Sequence, residues 1–148
     1  MTLQEKLTAE LKASMLSRNT NRTATLRLIK SALGYVQIEK KVESLPDAEV
    51  TAVLQREAKK RRDAREEYER GGRPELAAQE LTELAIIEEF LPKALSAEEL
   101  ESLVRAVIAE TGAVSKKEMG AVMKAAQAKA AGRADGRVLS GIVSRLLP

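Results

Sequence analysis

The sequence predicts an all-α fold, with an N-terminal domain of about four helices joined by a proline hinge to a small three-helix C-terminal tail domain. Aromatic residues make up only 2% of the chain. The core must therefore be built from Leu, Ile, Val, Met and Ala, which suit packed helices better than a β-sandwich. Apolar residues also recur at steps of three and four along most of the chain, the spacing of one helix face. The predicted domains are residues 1–94 and 95–148.

Cap and turn residues divide the first domain into four predicted helices. Thr2 and Glu5 have the spacing of a capping box, and the Asn19-Thr20-Asn21 turn supplies the next cap. Pro46 lies in the first turn of the third helix, and Gly71-Gly72 ends it. The predicted spans are about 2–18, 22–42, 46–70 and 73–91. The inward stripes are Leu3, Leu7, Leu11 and Met15; Leu26, Ile29, Leu33 and Val36; Val50, Val53, Leu54 and Ala58; and Leu76, Leu81, Leu84, Ile87 and Leu91, with Phe90 anchoring the fourth helix.

The second half of the third helix is almost entirely charged. Lys59-Lys60-Arg61-Arg62 resembles a nucleic-acid patch, but four acidic residues follow shortly after it. Pairs four residues apart, Arg62 with Glu66 and Arg65 with Glu69, are typical of a long solvent-exposed helix. Mixed signs would weaken phosphate attraction, so we favour a solvated face, with a protein-docking surface as an alternative.

Cap and turn residues also divide the tail into helices after Pro92, where the hinge is expected. Ser96 and Glu99 form another capping box, and Thr111-Gly112 ends the fifth helix. The sixth helix is predicted to begin at Ser115, which together with Glu118 has capping-box spacing. The residues expected to shape this module are Ser115, Glu118, Met119, Gly120, Met123, Gly132, Asp135 and Gly136. Met119 and Met123 are predicted to face inward with Val122, Ala126 and Ala130. Gly120 is predicted to mark a place where two helices approach closely. The Gly132–Gly136 turn is predicted to precede a seventh helix over about 137–147, which Asp135 caps.

The composition excludes several kinds of chemistry. The chain has no cysteine, histidine or tryptophan, which removes thiol and imidazole nucleophiles, thiolate and imidazole metal sites, and disulfides. The Gly132–Gly136 turn lacks the spacing and the Lys-Ser/Thr ending of a phosphate-binding loop. No catalytic residue, metal site or cofactor is predicted. No leader and no apolar run of membrane-spanning length is found, so a soluble cytoplasmic protein without a membrane partner is expected.

The C-terminal stretch has the profile of a binding module. Residues 113–148 carry seven basic and two acidic side chains, which favours an anionic partner, although ordinary solvated surfaces show charge patches of this size equally often. The candidate phosphate contacts are Lys116, Lys117, Lys124, Lys129, Arg133 and Arg137. With few aromatic residues available for base stacking, folded RNA is a better candidate than single strands.

The motifs of the tail resemble those of the GatB/YqeY family. They are the run from Lys116 to Lys124, the Gly132–Gly136 turn, and the apolar helix that closes the chain. Thr25-Leu26-Arg27-Leu28-Ile29-Lys30 and Phe90-Leu91-Pro92 agree, so the resemblance covers essentially the whole chain, at the length of free-standing YqeY-like proteins. One departure is Gln127-Ala128, where a Met-Pro-like pair is expected, which leaves the end of the sixth helix open.

The resemblance implies a helical domain followed by a tail similar to that of GatB, the subunit of the glutamine-dependent amidotransferase that acts on misacylated Glu-tRNA or Asp-tRNA. In that enzyme the tail is thought to contact tRNA, while the catalytic domain is separate and has no counterpart here. We therefore expect a non-catalytic accessory protein that binds tRNA or another structured RNA. The alternatives are an accessory or component of an amidotransferase with carbon–nitrogen ligase activity, or an adaptor that docks on an amidotransferase or aminoacyl-tRNA synthetase through the charged third helix.

Overall fold

Seven α-helices and one short 3₁₀ turn make up the chain, and no strand is present. A computed structural model describes all residues from Met1 to Pro148. The helices are α1 (Leu3–Leu16), α2 (Thr20–Lys40), α3 (Asp47–Arg70), α4 (Pro74–Glu88), α5 (Ala97–Thr111), α6 (Met119–Ala130) and α7 (Gly136–Leu146), with the 3₁₀ turn at Lys116–Glu118. This confirms the predicted all-α class. The chain divides into two compact units, Met1–Leu91 (unit 1) and Pro92–Pro148 (unit 2); the proline hinge and the 94/95 boundary remain predictions.

Side-chain caps begin α1 and α5 where the sequence predicts them. The Thr2 hydroxyl accepts a hydrogen bond from the Glu5 N–H at 3.1 Å, and the Ser96 hydroxyl accepts one from the Glu99 N–H at 3.1 Å. The Asn19 carboxamide caps α2 in the same way, which starts that helix two residues earlier than predicted. Each cap satisfies an N–H that has no partner within its helix.

The core of unit 1 is built from α1 to α4, packed as two helical hairpins, α1 with α2 and α3 with α4. Most predicted inward residues are buried there, and Phe90 closes the core. Two of the inward predictions are wrong, because Met15 and Leu81 are 50% and 48% exposed. Ser14 is buried in place of Met15, since its hydroxyl donates to the Leu11 carbonyl at 2.7 Å and contacts the Thr23 hydroxyl at 2.9 Å.

The charged half of α3 is not the fully solvated face that its sequence indicates. Arg61 and Glu57 are both only 7% exposed. The Arg61 guanidinium lies 3.4 Å from the Glu57 carboxylate and 3.4 Å from Glu83 on α4. The predicted Arg65–Glu69 pair does form, at 3.7 Å. The prediction failed at Arg61 because α4 packs along α3 and encloses this position.

Unit 2 is a small bundle of α5, α6 and α7 around a purely apolar core. The fully buried side chains come from all three helices: Val104 and Val107, Val122 and Ala126, and Leu139 and Val143. Every polar or charged residue that is buried in the chain belongs to unit 1. The core of unit 2 therefore depends on close packing of aliphatic side chains alone.

No helix of the chain combines the length and the low charge needed to span a bilayer.

Candidate nucleic-acid interface

The segment before α6 begins differently from the predicted capping box. Ser115 makes no side-chain cap; instead its backbone carbonyl accepts from the Glu118 N–H at 3.1 Å, which closes a 3₁₀ turn. The Glu118 carboxylate reaches back one residue further than predicted and accepts from the Val114 N–H at 3.0 Å. As a result α6 begins at Met119, and Lys116 and Lys117 lie on the 3₁₀ turn rather than on the helix.

The apolar face of α6 agrees with the prediction, but its glycine does not. Val122 and Ala126 are fully buried, and Met119 and Met123 pack against the same core while remaining partly exposed. Gly120 is exposed, and a Cβ added there would meet no atom within 4 Å. The close helix approach predicted at Gly120 is therefore wrong; this glycine faces open space.

The turn between α6 and α7 is held by backbone contacts within unit 2. Helix α6 ends at Ala130; Ala131 and Gly132 then adopt positive φ angles of 48° and 83°, a region that glycine enters without strain. The Arg133 carbonyl accepts from the Leu95 N–H at 2.9 Å, which fixes the turn against the segment that precedes α5. Asp135 caps α7 by accepting from the Arg137 N–H at 2.9 Å, as predicted, and Gly136 is the first residue of that helix.

The six candidate cations fall into two groups. Lys129 forms an ion pair with Glu110 at 2.6 Å, and Arg133 donates to the Lys93 carbonyl at 2.9 Å and lies 4.0 Å from Glu99. Arg137 also has a partner within the chain. Lys116, Lys117 and Lys124 are exposed and form no ion pair. Their three ammonium groups are therefore the part of the tail whose charge is not already matched by a carboxylate.

The remaining arginines of unit 2 are occupied as well. Glu101 on α5 lies 2.7 Å from Arg105 and 3.3 Å from Arg145 on α7. The hydrogen bond from Arg105, and then that from Arg145, lowers the pKa of the Glu101 carboxyl. This cluster links α5 to α7 but offers no unmatched cation.

The two units differ in net charge. Unit 1 carries sixteen basic and sixteen acidic side chains, whereas unit 2 carries nine and six. The whole formal excess of +3 therefore belongs to unit 2. Unmatched exposed lysines on a unit of net positive charge are able to attract a polyanion without first breaking an internal ion pair.

Comparison with known protein families identifies the family of the chain. A family model described as "Yqey-like protein" matches residues 4–147. The chain belongs to the YqeY-like family. The match spans both units, so the whole chain, and not the tail alone, has the character of this family. No curated protein matches the chain.

The YqeY-like chain also contains site features that sequence reasoning missed. Lys129 and its partner Glu110 are 19 residues apart, and Arg133 and the Lys93 carbonyl are 40 apart. Local spacing carries no signal for either contact. The bond from Val114 to Glu118 spans four residues, and it could have been considered as an alternative to the capping box.

Proposed function

We propose that this YqeY-like protein is a non-catalytic accessory protein that binds tRNA or another structured RNA through the phosphate backbone. Lys116, Lys117 and Lys124 are the primary contacts, and Lys129, Arg133 and Arg137 are secondary. The observation that carries the proposal is the absence of an ion pair at the first three, all exposed on the unit that holds the excess positive charge.

The chemistry of unit 2 favours backbone recognition. Phe90, Tyr35 and Tyr68 all belong to unit 1, so unit 2 has no aromatic ring on which a base could stack. A surface of ammonium groups without stacking residues attracts phosphates with little dependence on sequence. Folded RNA, with its phosphates held at fixed positions, suits such a surface better than a flexible single strand.

Lys129, Arg133 and Arg137 are ranked as secondary contacts because each already has a partner within the chain. Lys129 already lies 2.6 Å from Glu110, so part of its charge is matched before a phosphate approaches. Arg133 has a backbone carbonyl as a partner and helps to hold the turn. Charge reversal at Lys129 is therefore expected to weaken RNA binding less than charge reversal at Lys124.

The test is fluorescence anisotropy of the full chain with folded tRNA across a salt series. The double variant Lys117→Glu/Lys124→Glu is expected to weaken binding by at least about tenfold at low salt and to reduce the slope of log K against log salt by roughly 1–2. Both side chains are exposed, so helical content and melting temperature should not change.

The matched control is Lys12→Glu/Lys30→Glu. These lysines are exposed and form no ion pair either, but they lie on α1 and α2 of unit 1. The control should bind tRNA within about threefold of the unmodified protein once the same change in net charge is allowed for. Equal losses in both double variants would mean that only net charge matters, and unchanged binding by the folded Lys117/Lys124 variant would refute the site.

A second candidate function is that of an accessory to a glutamine-dependent amidotransferase or an aminoacyl-tRNA synthetase. The similarity of the Lys116–Lys124 run and the Gly132–Gly136 turn to the GatB tail favours it. An amidotransferase component would support glutamine-dependent amidation only when partner subunits are added, whereas a simple RNA-binding protein would leave that rate unchanged.

An adaptor that docks through α3 would have to do so without Arg61, although the sequence places this residue in the basic run of the helix. Arg61 is buried between Glu57 and Glu83, so it is not available to a partner. The exposed positions Arg56 and Lys59 of the same helix are the ones to reverse. Capture of a synthetase or amidotransferase that survives RNase and is lost in Arg56→Glu/Lys59→Glu would favour this function over RNA binding.

A further inference from the structure

Gly120 on α6 is a glycine that the fold of unit 2 does not require. It does not have a positive φ, whereas Gly72, Gly112 and Gly132 do, so a residue with a Cβ could adopt the same backbone conformation. A Cβ added at Gly120 would also meet no atom within 4 Å. Glycine is a poor helix former, and neither the backbone nor the packing of the unit compensates for its presence in α6.

Two lysines that form no ion pair lie about one turn to either side of Gly120. Lys117 precedes it by three residues and Lys124 follows it by four, so the three residues share one face, and all are exposed. The lysines are roughly 10 Å apart along the helix axis. Ala121 is exposed beside Gly120, and together these two residues form the lysine gap, a surface without a large side chain between the two ammonium groups.

The helix that carries the lysine gap supplies no carboxylate to it, because α6 contains no acidic residue. Glu118 lies just before α6, but its carboxylate reaches back and accepts from the Val114 N–H at 3.0 Å. The ion pair of Lys129 with Glu110 lies elsewhere, since Lys129 follows Gly120 by nine residues, or two and a half turns, and is therefore on the opposite side of α6. The positive charge on both sides of the gap is thus not cancelled from within α6.

We propose that Gly120 is the residue at which RNA comes closest to the protein, with the lysine gap packed on the shallow minor groove of an RNA stem. This inference rests on the RNA-binding function proposed above and names the part of the RNA that α6 contacts. Lys117 and Lys124 bind phosphates on the two sides of the groove. The helix surface at Gly120 faces the ribose 2′-hydroxyls between them.

The shape of the lysine gap fits this groove better than the other grooves of a duplex. The minor groove of A-form RNA is wide and shallow and displays 2′-hydroxyls, whereas the major groove is deep and narrow. The minor groove of B-form DNA is only about 6 Å wide, which is too narrow for a helix. The major groove of B-form DNA admits a helix but is read by side chains that reach the base edges, and Gly120 and Ala121 provide none.

The first test places side chains of increasing size at position 120 and measures binding of folded tRNA by fluorescence anisotropy at low salt. Gly120→Ala should weaken binding by no more than about threefold and Gly120→Leu by at least about tenfold, because a larger side chain holds the groove away from both ammonium groups. The melting temperature should not fall, since alanine and leucine form helix more readily than glycine and position 120 has no close neighbour. Weaker binding at undiminished stability would exclude misfolding as its cause.

The matched control is Gly141→Leu in the same unit. Gly141 is exposed on α7, and a Cβ added there would likewise meet no atom within 4 Å. The cations on the turns before and after it, Arg137 and Arg145, both have partners within the chain. Gly141→Leu should therefore bind tRNA within about threefold of the unmodified protein. Equal losses in Gly120→Leu and Gly141→Leu would overturn the assignment of the closest approach to Gly120.

A mutant cycle separates this inference from the function on which it rests. When Gly120→Leu is added to Lys117→Glu/Lys124→Glu, the further loss should be less than about threefold, because the groove no longer packs on the gap. If the lysine variant binds weakly and Gly120→Leu alone binds normally, the RNA site stands and the role of Gly120 is refuted. If the unmodified protein binds no RNA at low salt, both the function and the inference are refuted.

The second test identifies the groove and uses the unmodified protein. An RNA hairpin with a stem of one helical turn is compared with a DNA hairpin of the same sequence, which carries the same number of phosphates. The RNA hairpin should bind at least about tenfold more tightly, because only its minor groove is wide and carries 2′-hydroxyls. Gly120→Leu should reduce this preference, since it acts on the RNA complex. Equal affinity for the two hairpins would overturn the assignment of the gap to the minor groove of RNA.

Discussion

The two units of the chain use charged residues in different ways. In unit 1 charges connect helices: Arg61 is buried against Glu57 and Glu83, and Arg22 bonds to Glu10 and Glu89 beside the ring of Phe90. In unit 2 no charge is buried, and the core consists of aliphatic side chains. Unit 1 has balanced charge and unit 2 carries the whole excess. The comparison teaches that unit 1 uses part of its charge to hold helices together inside the fold, whereas the charged side chains of unit 2 all stay at its surface.

The largest effect expected from this difference is at Arg61. Arg61→Ala would leave the partly buried carboxylate of Glu83 without its cation, while Glu57 would keep only Lys60 at 3.0 Å, and should destabilise unit 1 by about 2–3 kcal/mol. Urea denaturation followed by circular dichroism measures this loss. The control is Arg56→Ala, an exposed position on the same helix, which should change stability by less than about 0.5 kcal/mol. Equal stability of the two variants would mean that the buried cluster has no structural role.

A smaller effect is expected at the cap of α7 in unit 2. Asp135 is the only side chain that caps this helix, so Asp135→Ala should destabilise unit 2 by about 1 kcal/mol and leave unit 1 unchanged. Hydrogen exchange of α7 amides separates the two units in one experiment. Asp135→Asn should recover most of the loss, because its carboxamide oxygen accepts the same bond from the Arg137 N–H. Faster exchange in unit 1 would contradict the independence of this effect.

The smallest effects concern pH, and they have opposite signs in the two units. Burial, and then repulsion by Glu83, raises the pKa of Glu80 in unit 1 above its ordinary value of 4.5, whereas Arg105 and Arg145 lower the pKa of Glu101 in unit 2 below 4.5. The contribution of Glu80 to stability is complete below 4.5 and is lost as the pH rises through its folded pKa. That of Glu101 is present above 4.5 and is lost as the pH falls through its folded pKa.

At neutral pH, Glu80→Gln should therefore stabilise the protein by a few tenths of a kcal/mol, and Glu101→Gln should destabilise it slightly. Each difference should shrink as the pH falls through the folded pKa of the carboxyl concerned. Thermal melts at several pH values measure this. The same sign for Glu80→Gln and Glu101→Gln would contradict the assigned causes.

Local sequence was sufficient to predict the helices and most of both cores. Thr2, Ser96 and Asp135 cap helices as predicted, since capping depends on residues two or three positions apart, and Asn19, in the turn predicted to supply a cap, caps α2 two residues earlier than predicted. The steps of three and four also identified the inward faces of α3 and α6 correctly. Such features are encoded within one or two turns of a helix, and no other part of the chain changes them.

Only the tertiary structure decided which charges and which faces are free. Arg61 lies in a run of basic residues, yet α4 encloses it. Lys124 and Lys129 are both exposed lysines of α6, yet only Lys129 forms an ion pair, with Glu110. Gly120 faces solvent although a close approach was predicted there, and both faces of α2 have apolar spacing while only one is buried. The physical reason is the same in each case. Periodicity specifies the face on which a side chain lies, whereas its partner comes from another helix, which is placed by the packing of the whole unit.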